Sequence, residues 1–285
     1  MSSSALTIEL LTKLIREKKY DWQPGETSVS KLTLEVAVRK LGLAFKKEPL
    51  LAAHRRVYVM MAEVLAKKCP PKLDWRNEKG QNWITSIKDQ GECGSCVSFA
   101  SVAVMEAQAA IDSNRSDVWG DLSEAFLFFC GGGDCDTGWE VDDALDFLKG
   151  TGTTNEPCFP YPTPAVQQPC SNRCADWQRY LRKITDWNSL RNYDDARNWL
   201  CNKGPLVAGM DVYDDFRYYR GGIYGHVWGE KLGGHAIAVI GYDEIGRFWI
   251  CKNSWGTGWG ESGFFRIRYN DCNMLNPYPM YGVTT

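Results

Sequence analysis

The chain has 285 residues, of which 44% are hydrophobic and 24% charged, a composition typical of globular proteins. It is long enough for two hydrophobic cores, or for one core with an accessory segment. No run of about 18 apolar residues occurs, so no membrane-spanning helix is predicted, and the net charge of -2 argues against a general nucleic-acid binder. Neither a membrane nor a nucleic acid is therefore an expected partner.

The charge is unevenly distributed along the chain. Residues 1–70 hold 13 Lys and Arg against 7 Asp and Glu, whereas the remainder holds 20 against 28. A basic segment joined to an acidic body indicates that the two pack against each other. The alternative is two solvated surfaces without mutual contact.

The first part of the chain contains two predicted helices. Residues 6–19 place apolar side chains among charged ones at helical spacing, which predicts an amphipathic helix. Residues 22–27 form a turn. A second helix is predicted to enter through a capping pattern at Leu32 to Glu35 and to end at Gly42. A basic linker, residues 44–70, follows.

The next element is a turn-rich stretch that leads into a helix. Residues 90–95 are rich in turn residues, and residues 96–110 show a helical face that is mostly apolar. Cys96 is therefore placed in the first turn of a largely buried helix. The unpaired N–H groups there carry partial positive charge, which favours the nucleophilic thiolate over the thiol. Gly91 and Gly94 allow a substrate backbone to approach the sulfur.

Beyond this helix the pattern changes from helical to extended. Two further helices are predicted near 123–129 and 141–148, and a proline- and cysteine-rich loop follows. The second half shows alternation, aromatic enrichment and glycine punctuation, which favour a small antiparallel barrel. Its predicted strands cover 206–212, 236–242, 248–252 and 264–269. The sequence thus predicts an α+β fold with a cleft between a helical half and a β half.

Two motifs in the second half complement Cys96. Gly233 to His235 is predicted as a glycine turn before an apolar strand. His235 lies 139 residues after Cys96, and Asn253 lies 18 residues after His235. Widely separated Cys, His and Asn residues are the expected layout of a thiol acyl-transfer site, because the three meet in space and not in sequence. His235 is predicted to take the proton from Cys96, and Asn253 to fix the plane of the ring.

The eleven cysteines are many for a protein in a reducing compartment. Zinc ligation is disfavoured, because no histidine lies near Cys170 and Cys174 and no second pair completes a four-ligand site. Neither a metal nor a cofactor is expected, and the spacing alone leaves the disulfide connectivity open. The first residues lack the features of a signal peptide. The protein is expected to be secreted or to lie in an oxidising or acidic compartment. The expected route is a leader that this chain lacks, or unconventional export.

These motifs resemble those of the papain-like cysteine proteases and, within them, of the cathepsin B type. The resemblance rests on Gln90 to Phe99, Leu122 to Glu124, Gly233 to His235 and Asn253 to Gly256. It implies a papain-like two-lobe fold with a helical left lobe, an antiparallel β-barrel right lobe and an N-terminal helical prosegment.

The resemblance divides the chain into three parts. Residues 1–70 become an inhibitory prosegment and linker. Residues 71–180 become the lobe that carries the catalytic cysteine, and residues 181–285 the lobe that carries the histidine and asparagine. The final activation cut is expected between about Lys47 and Pro71.

The resemblance also implies roles near the nucleophile. The Gln90 side-chain amide and the Cys96 backbone N–H meet the oxyanion, and Trp255 shields the histidine–asparagine pair from water. It implies three disulfides, which join Cys93 to Cys135, Cys130 to Cys170 and Cys158 to Cys174.

Further residues are implied to bind the substrate. Gly138 presents its N–H and C=O to the substrate backbone, as in β-strand addition, and Trp139, Gly234 and Trp255 are also implied to bind the substrate. The floor of the second specificity pocket aligns to Pro277, which carries no carboxylate, so an apolar residue is expected at substrate position P2 and arginine is disfavoured.

The N-terminal segment resembles the inhibitory prosegment of cathepsin B, which runs backwards through the active-site cleft. Leu41, Gly42 and Leu43 are accordingly expected to lie across Cys96 in the non-cleavable direction, as an intramolecular inhibitor. The alternative is a plain N-terminal helical cap.

The chain departs from the family pattern in three respects, one of which is Asp136-Thr137-Gly138 in place of an Asn-Gly-Gly run. Position 97 is Val, where the family usually has Trp or Tyr. The paired histidines of the cathepsin B loop are missing, since the sequence holds only His54, His226 and His235. An endopeptidase is therefore expected, and not a dipeptide-removing carboxypeptidase. His226 is interpreted as a surface or packing residue.

Three functions are compatible with these patterns. The favoured one is an autoinhibited cysteine endopeptidase that acts on peptides or proteins through a thioacyl-enzyme intermediate. The second uses the same triad for transpeptidation or transglutamination. The third is a non-catalytic binding module whose cleft stays plugged by its own prosegment.

Overall fold

The computed structural model describes residues 6–44, 69–116 and 118–285. The basic linker, and with it most of the expected region of the activation cut, lies outside the described residues. Helices and a predominantly antiparallel sheet are combined in one chain, which confirms the predicted α+β class. Within the described ranges, no helix has the length and apolar character needed to cross a membrane.

The N-terminal segment folds as two helices joined by a short extended piece. Helix α1, Ile8–Glu17, begins at Thr7, whose hydroxyl accepts from the Leu10 backbone N–H. Strand β1, Gln23–Pro24, follows. Helix α2, Leu34–Val38, is capped by the hydroxyl of Thr33. It is shorter than predicted, because tight turns replace the helix before Gly42.

The next region supplies the helices of the catalytic body. Helix α3 spans Cys96–Ser113 and is buried on every side as far as Ala110, so it is a central helix and not an amphipathic one. A π-helical turn, Phe126–Cys130, and helix α4, Val141–Gly150, lie where helices were predicted.

The second half of the chain forms most of an eight-stranded sheet, whose longest strand is β7. Seven of the strands follow the order β3-β10-β4-β7-β8-β9-β6, and β2 pairs with β7. The bounds are Lys72–Asp74 (β2), Asp186–Leu190 (β3), Leu206–Tyr213 (β4), Ile223–Tyr224 (β6), Lys231–Asp243 (β7), Phe248–Lys252 (β8), Phe264–Arg268 (β9) and Met280–Thr284 (β10). A separate short strand, β5, Tyr219–Gly221, pairs with β1 of the N-terminal segment.

The sheet differs from the prediction in three places. Strands β3, β6 and β10 were not predicted, and neither was helix α5, Tyr193–Asn202, which interrupts the β half. Strand β2 belongs to the sheet although it precedes the helical lobe in sequence. Gly233 and Gly234 lie inside β7 and not in a turn, paired with β4.

Helix α3 packs against β7. This contact joins the two halves of the catalytic body and brings the first residue of α3 to the strand that carries His235. The cleft opens at the same place, between the loops that precede α3 and the strand β7.

Candidate active site

Cys96 and His235 meet where α3 begins beside β7. The Cys96 sulfur accepts a hydrogen bond from the backbone N–H of Ala236 at 3.4 Å. His235 is the preceding residue, and both side chains are fully buried. The structure therefore brings the predicted nucleophile to the strand position of the predicted base.

The imidazole of His235 is oriented by Asn253. The ring Nε2 lies 2.7 Å from Asn253 Oδ1, which also accepts from the Ser254 N–H at 2.8 Å. An amide oxygen only accepts, so Nε2 carries the proton and Nδ1 is left as the basic nitrogen. Among the described residues Nδ1 has no hydrogen-bond partner. The ring of Trp255 covers the imidazole, with ring centroids 4.8 Å apart.

Gln90 is held rigidly in front of α3. Its side-chain oxygen accepts from the Ser254 hydroxyl at 2.7 Å, which leaves the amide Nε2 free to donate towards the cleft. Nε2 donates to the Cys93 carbonyl at 2.8 Å and to the Lys40 carbonyl at 3.0 Å. The donor predicted to receive an oxyanion therefore already holds a carbonyl oxygen of the N-terminal segment.

The predicted thiolate is not the state of Cys96 in this form. Burial raises the pKa of the Cys96 thiol to about 11, against the lowering effect of nearby backbone N–H groups, including those of Ala236 and Gly42. Burial also lowers the pKa of His235 to about 4, although its hydrogen bond to Asn253 acts in the opposite direction. The field at the start of α3 is outweighed by desolvation, so at neutral pH both groups are uncharged.

The N-terminal segment passes the sulfur of Cys96 at Gly42, whose backbone N–H faces it. The Trp139 N–H donates to the Gly42 carbonyl at 2.8 Å, and the Leu43 N–H donates to the Gly234 carbonyl at 3.1 Å. The segment therefore bonds to both walls of the cleft. It runs parallel to the chain at Trp139.

The close approach at Cys96 depends on three glycines. A Cβ on Gly42 would collide with the backbone of Gly94, and a Cβ on Gly138 would collide with the Gly42 carbonyl. Gly138 also has a φ of 78°, a conformation that an L-residue rarely adopts. No side chain at these positions fits while the segment is in place.

Gly138 does not present its backbone to the N-terminal segment in this form. Its N–H and C=O pair with Asp134 in their own tight turn, and Trp139 supplies the N–H and C=O that bond to the segment. Gly138 instead provides the space that lets Gly42 reach the sulfur.

Pro277 does not form the floor of the pocket that holds Leu43. Pro277 is exposed, whereas Tyr278 is buried. A Cβ built on Gly209 would lie 2.7 Å from Leu43 Cδ2 and 3.3 Å from Tyr278 Cβ, so these three residues meet. The neighbouring residue Tyr278 therefore lines this pocket, and Pro277 does not.

The structure contains the three disulfides that the resemblance implied, and a fourth that was not predicted. The fourth joins Cys69 to Cys201 on α5 and was signalled in the sequence only by unassigned cysteines. Four disulfides are typical of proteins that fold in an oxidising compartment. In the described residues Cys251 and Cys272 are free and buried. The three implied pairs are Cys93–Cys135, Cys130–Cys170 and Cys158–Cys174.

Sequence reasoning also missed a buried ionic cluster behind the site. Lys88 donates to Glu124 at 2.7 Å, and burial raises the pKa of Glu124 to about 8. Lys252, directly before Asn253, donates to Thr85 at 2.9 Å, and burial lowers the pKa of Lys252 to about 8.

His226 lies outside the site, where it stacks on Tyr213. No cluster that could ligate a metal occurs within the described ranges.

A cysteine, a histidine and an asparagine converge in a cleft between a helical lobe and a sheet, which defines a cysteine-type hydrolase. The chain belongs to the papain family of cysteine proteases, whose family model, described as papain family cysteine protease, matches residues 69–281. Within that family it is cathepsin B-like, as the sequence motifs indicated.

Curated relatives support this family, and a solved structure supports the fold. Cathepsin B-like CP3 of Giardia intestinalis is 35% identical over 232 residues, which cover 77% of this chain and 76% of that protein. Cathepsin B-like CP2 of the same organism is 32% identical over 289 residues and covers 96% and 93%. The solved structure of proCathepsin B S9 from Trypanosoma congolense matches with a TM-score of 0.82, 24% identity and 98% of each chain. This structural likeness extends to the fold of the N-terminal segment.

Proposed function

We propose that the protein is a cysteine endopeptidase synthesised as an autoinhibited zymogen. The observation that carries the proposal is the position of the Cys96 sulfur, 3.4 Å from the N–H that follows His235, whose ring is held by Asn253 at 2.7 Å. Residues 6–44 are the prosegment in this proposal, and the rest of the described chain is the catalytic body.

The proposed chemistry begins when the prosegment leaves and water reaches the site. Loss of burial lowers the pKa of Cys96 and raises that of His235, so a thiolate–imidazolium pair forms. The thiolate attacks the peptide carbonyl carbon, and the oxyanion is met by Gln90 Nε2 and the Cys96 backbone N–H. His235 then protonates the leaving amine, and water releases the acyl group from sulfur.

The closed form resists cleavage because the wrong backbone groups face the catalytic atoms. The sulfur faces the backbone N–H of Gly42. The Lys40 carbonyl bonds to Gln90, but the nitrogen of that same amide, Leu41 N, donates to Val38 O at 2.9 Å. That nitrogen is therefore not offered to His235 for protonation.

The pocket around Leu43 supports a preference for apolar residues at P2. Leu43 is 8% exposed and lies against Gly209 and the side chain of Tyr278. The Tyr278 hydroxyl turns away to bond Asp211 at 2.6 Å and Lys231 at 3.0 Å. The pocket is therefore lined by carbon atoms of Tyr278, and its hydroxyl is bonded elsewhere. The disulfides support action in a secreted or otherwise oxidising compartment.

Self-processing of the full chain tests the proposal. We expect the wild-type chain to generate a new N-terminus between Lys47 and Pro71 on acidification, whereas Cys96→Ala stays intact. Cys251→Ala is the matched control, because Cys251 is also a free, fully buried cysteine but lies away from the cleft. Processing of Cys96→Ala at the wild-type rate would refute the assignment of the nucleophile.

A second measurement separates hydrolysis from group transfer. The processed enzyme is incubated with one peptide in the presence and absence of a primary amine, and the products are identified by mass spectrometry. Free carboxyl products that predominate with the amine present support hydrolysis. Products that carry the amine would favour the transfer reaction.

A further inference from the structure

One prosegment side chain ends at a charged group on the cleft wall. Lys40 is only 4% exposed, and its Nζ lies 2.9 Å from Asp89 Oδ1. The same carboxylate oxygen accepts from the Gly91 backbone N–H at 2.9 Å, which fixes its orientation. Asp89 directly precedes Gln90, so a fixed negative charge stands beside the proposed oxyanion donor.

The position of Asp89 along the cleft follows from the path of the prosegment. Leu43 lies at one end, bonded to Gly234, and Gly42 faces the sulfur. Lys40 lies at the other end, with its carbonyl on Gln90. If the acyl part of a substrate occupies the Leu43 pocket, Asp89 stands on the side from which the amine product leaves.

We propose that Asp89 recognises a lysine or arginine side chain at the first residue on the leaving-group side of the scissile bond, position P1′. This inference rests on the proposed function. The Lys40 carbonyl occupies the proposed place of the scissile carbonyl, so the Lys40 side chain begins where that of the P1′ residue begins. A nearly buried ammonium group needs a charged or hydrogen-bonding partner, and Asp89 supplies it.

A second acidic residue on the same rim provides a comparison. Glu92 lies 3.9 Å from Arg39, and both side chains are about half exposed. Exposed pairs of this kind contribute little to binding, because solvent screens them. Glu92 therefore matches Asp89 in charge and position on the rim, but not in the burial of its partner.

The full chain tests whether Asp89 binds a cation, by a double-mutant cycle on Lys40 and Asp89. The readout is the rate at which an epoxide thiol inhibitor labels Cys96 at pH 7. We expect Lys40→Met and Asp89→Asn each to raise this rate about fivefold. Lys40→Arg and Glu92→Gln should change it less than twofold. The double variant, which combines Lys40→Met with Asp89→Asn, should label no faster than Asp89→Asn alone. Multiplying effects in the double variant would overturn the inference.

Peptide cleavage by the processed enzyme tests the same site with substrates. Two peptides differ only in Lys or Gln at P1′, and a second pair differs in the same way at P2′. We expect kcat/KM to favour Lys at P1′ about fivefold in wild type and in Glu92→Gln, and to show no preference in Asp89→Asn. Equal cleavage of the P1′ pair by wild type, or a preference found only at P2′, would overturn the assignment. If neither peptide is cut, the proposed function fails, and the double-mutant cycle still decides whether Asp89 binds a cation.

Discussion

The prosegment contacts the catalytic body through two regions that differ in chemistry. We call residues 8–29 the anchor and residues 39–44 the plug. The anchor buries large side chains: Trp22 is 2% exposed, with its ring 5.3 Å from that of Tyr224, and its Nε1 donates to the Gly225 carbonyl at 3.0 Å. The plug instead bonds through its backbone and depends on Gly42.

This difference predicts that the anchor determines how tightly the prosegment binds, and that the plug determines whether the active site is blocked. Burial of apolar and aromatic surface supplies most of the free energy of association, and the anchor holds that surface away from the sulfur. The plug buries few large side chains, but it removes water from Cys96 and His235 and thereby changes their pKa values. Damage to the anchor is therefore expected to release the whole prosegment, whereas damage to the plug opens the site under a prosegment that stays attached.

The largest effect is expected from Trp22→Ala in the anchor. Truncation of a buried tryptophan costs about 3–5 kcal/mol, so the rate of Cys96 labelling by an epoxide inhibitor should rise at least about 100-fold. Hydrogen exchange should show that helix α1 loses amide protection at the same time. Trp22→Phe is the control and should lose much less, since it keeps most of the ring contact. Faster labelling with full protection of α1 would contradict the assignment of affinity to the anchor.

A smaller and more local effect is expected from Gly42→Ala in the plug. The new Cβ collides with backbone at Gly94, which cannot move aside as a flexible side chain does. Labelling of Cys96 should rise about 30-fold, which corresponds to about 2 kcal/mol, while α1 keeps its protection. Gly150→Ala is the matched control, because a Cβ there meets no neighbouring atoms. Loss of α1 protection in Gly42→Ala would mean that anchor and plug act as one unit.

The sequence was sufficient where a local pattern decides the structure. Strand β8, Phe248–Lys252, was predicted with its observed bounds, and the motifs selected Cys96, His235 and Asn253, which the fold brings together. Helix α5 was missed although Ala196, Trp199 and Leu200 are buried at helical spacing and Asn192 caps an acidic first turn, a pattern that marks a helix start.

The rest depends on contacts between distant parts of the chain. Lys40 and Asp89 are 49 residues apart, and neither belongs to a recognisable motif. The choice of Tyr278 over Pro277 follows from the path of a loop that sequence alignment does not give. The thiolate form of Cys96 was predicted from the helix terminus alone. The plug, more than 50 residues earlier in the chain, buries the sulfur, and burial favours the neutral thiol.

The smallest effect is expected from pH, and it acts on the plug alone. His235 has a pKa of about 4 in the closed form, against an ordinary value of 6.5. In a Cys96→Ala chain, where no thiolate accompanies the imidazolium, the open form between these values binds a proton that the closed form does not, so acidification favours opening. From pH 7.5 to 5.5 the population with an open plug should increase on the order of tenfold. The effect is fully developed only below about pH 4, and it is absent above pH 7.

Hydrogen exchange of the Leu43 amide in the Cys96→Ala chain measures this opening, after correction for the pH dependence of intrinsic exchange. That amide donates to Gly234 only while the plug is in place. Substitution of His235 by Asn in the same background removes the titrating group and should flatten the profile. The amide of Val239, in the buried part of β7, serves as the internal reference. A profile that stays steep without His235 would assign the pH sensitivity to the carboxylates that hold Arg39 and Lys40, which are Glu35, Glu92 and Asp89.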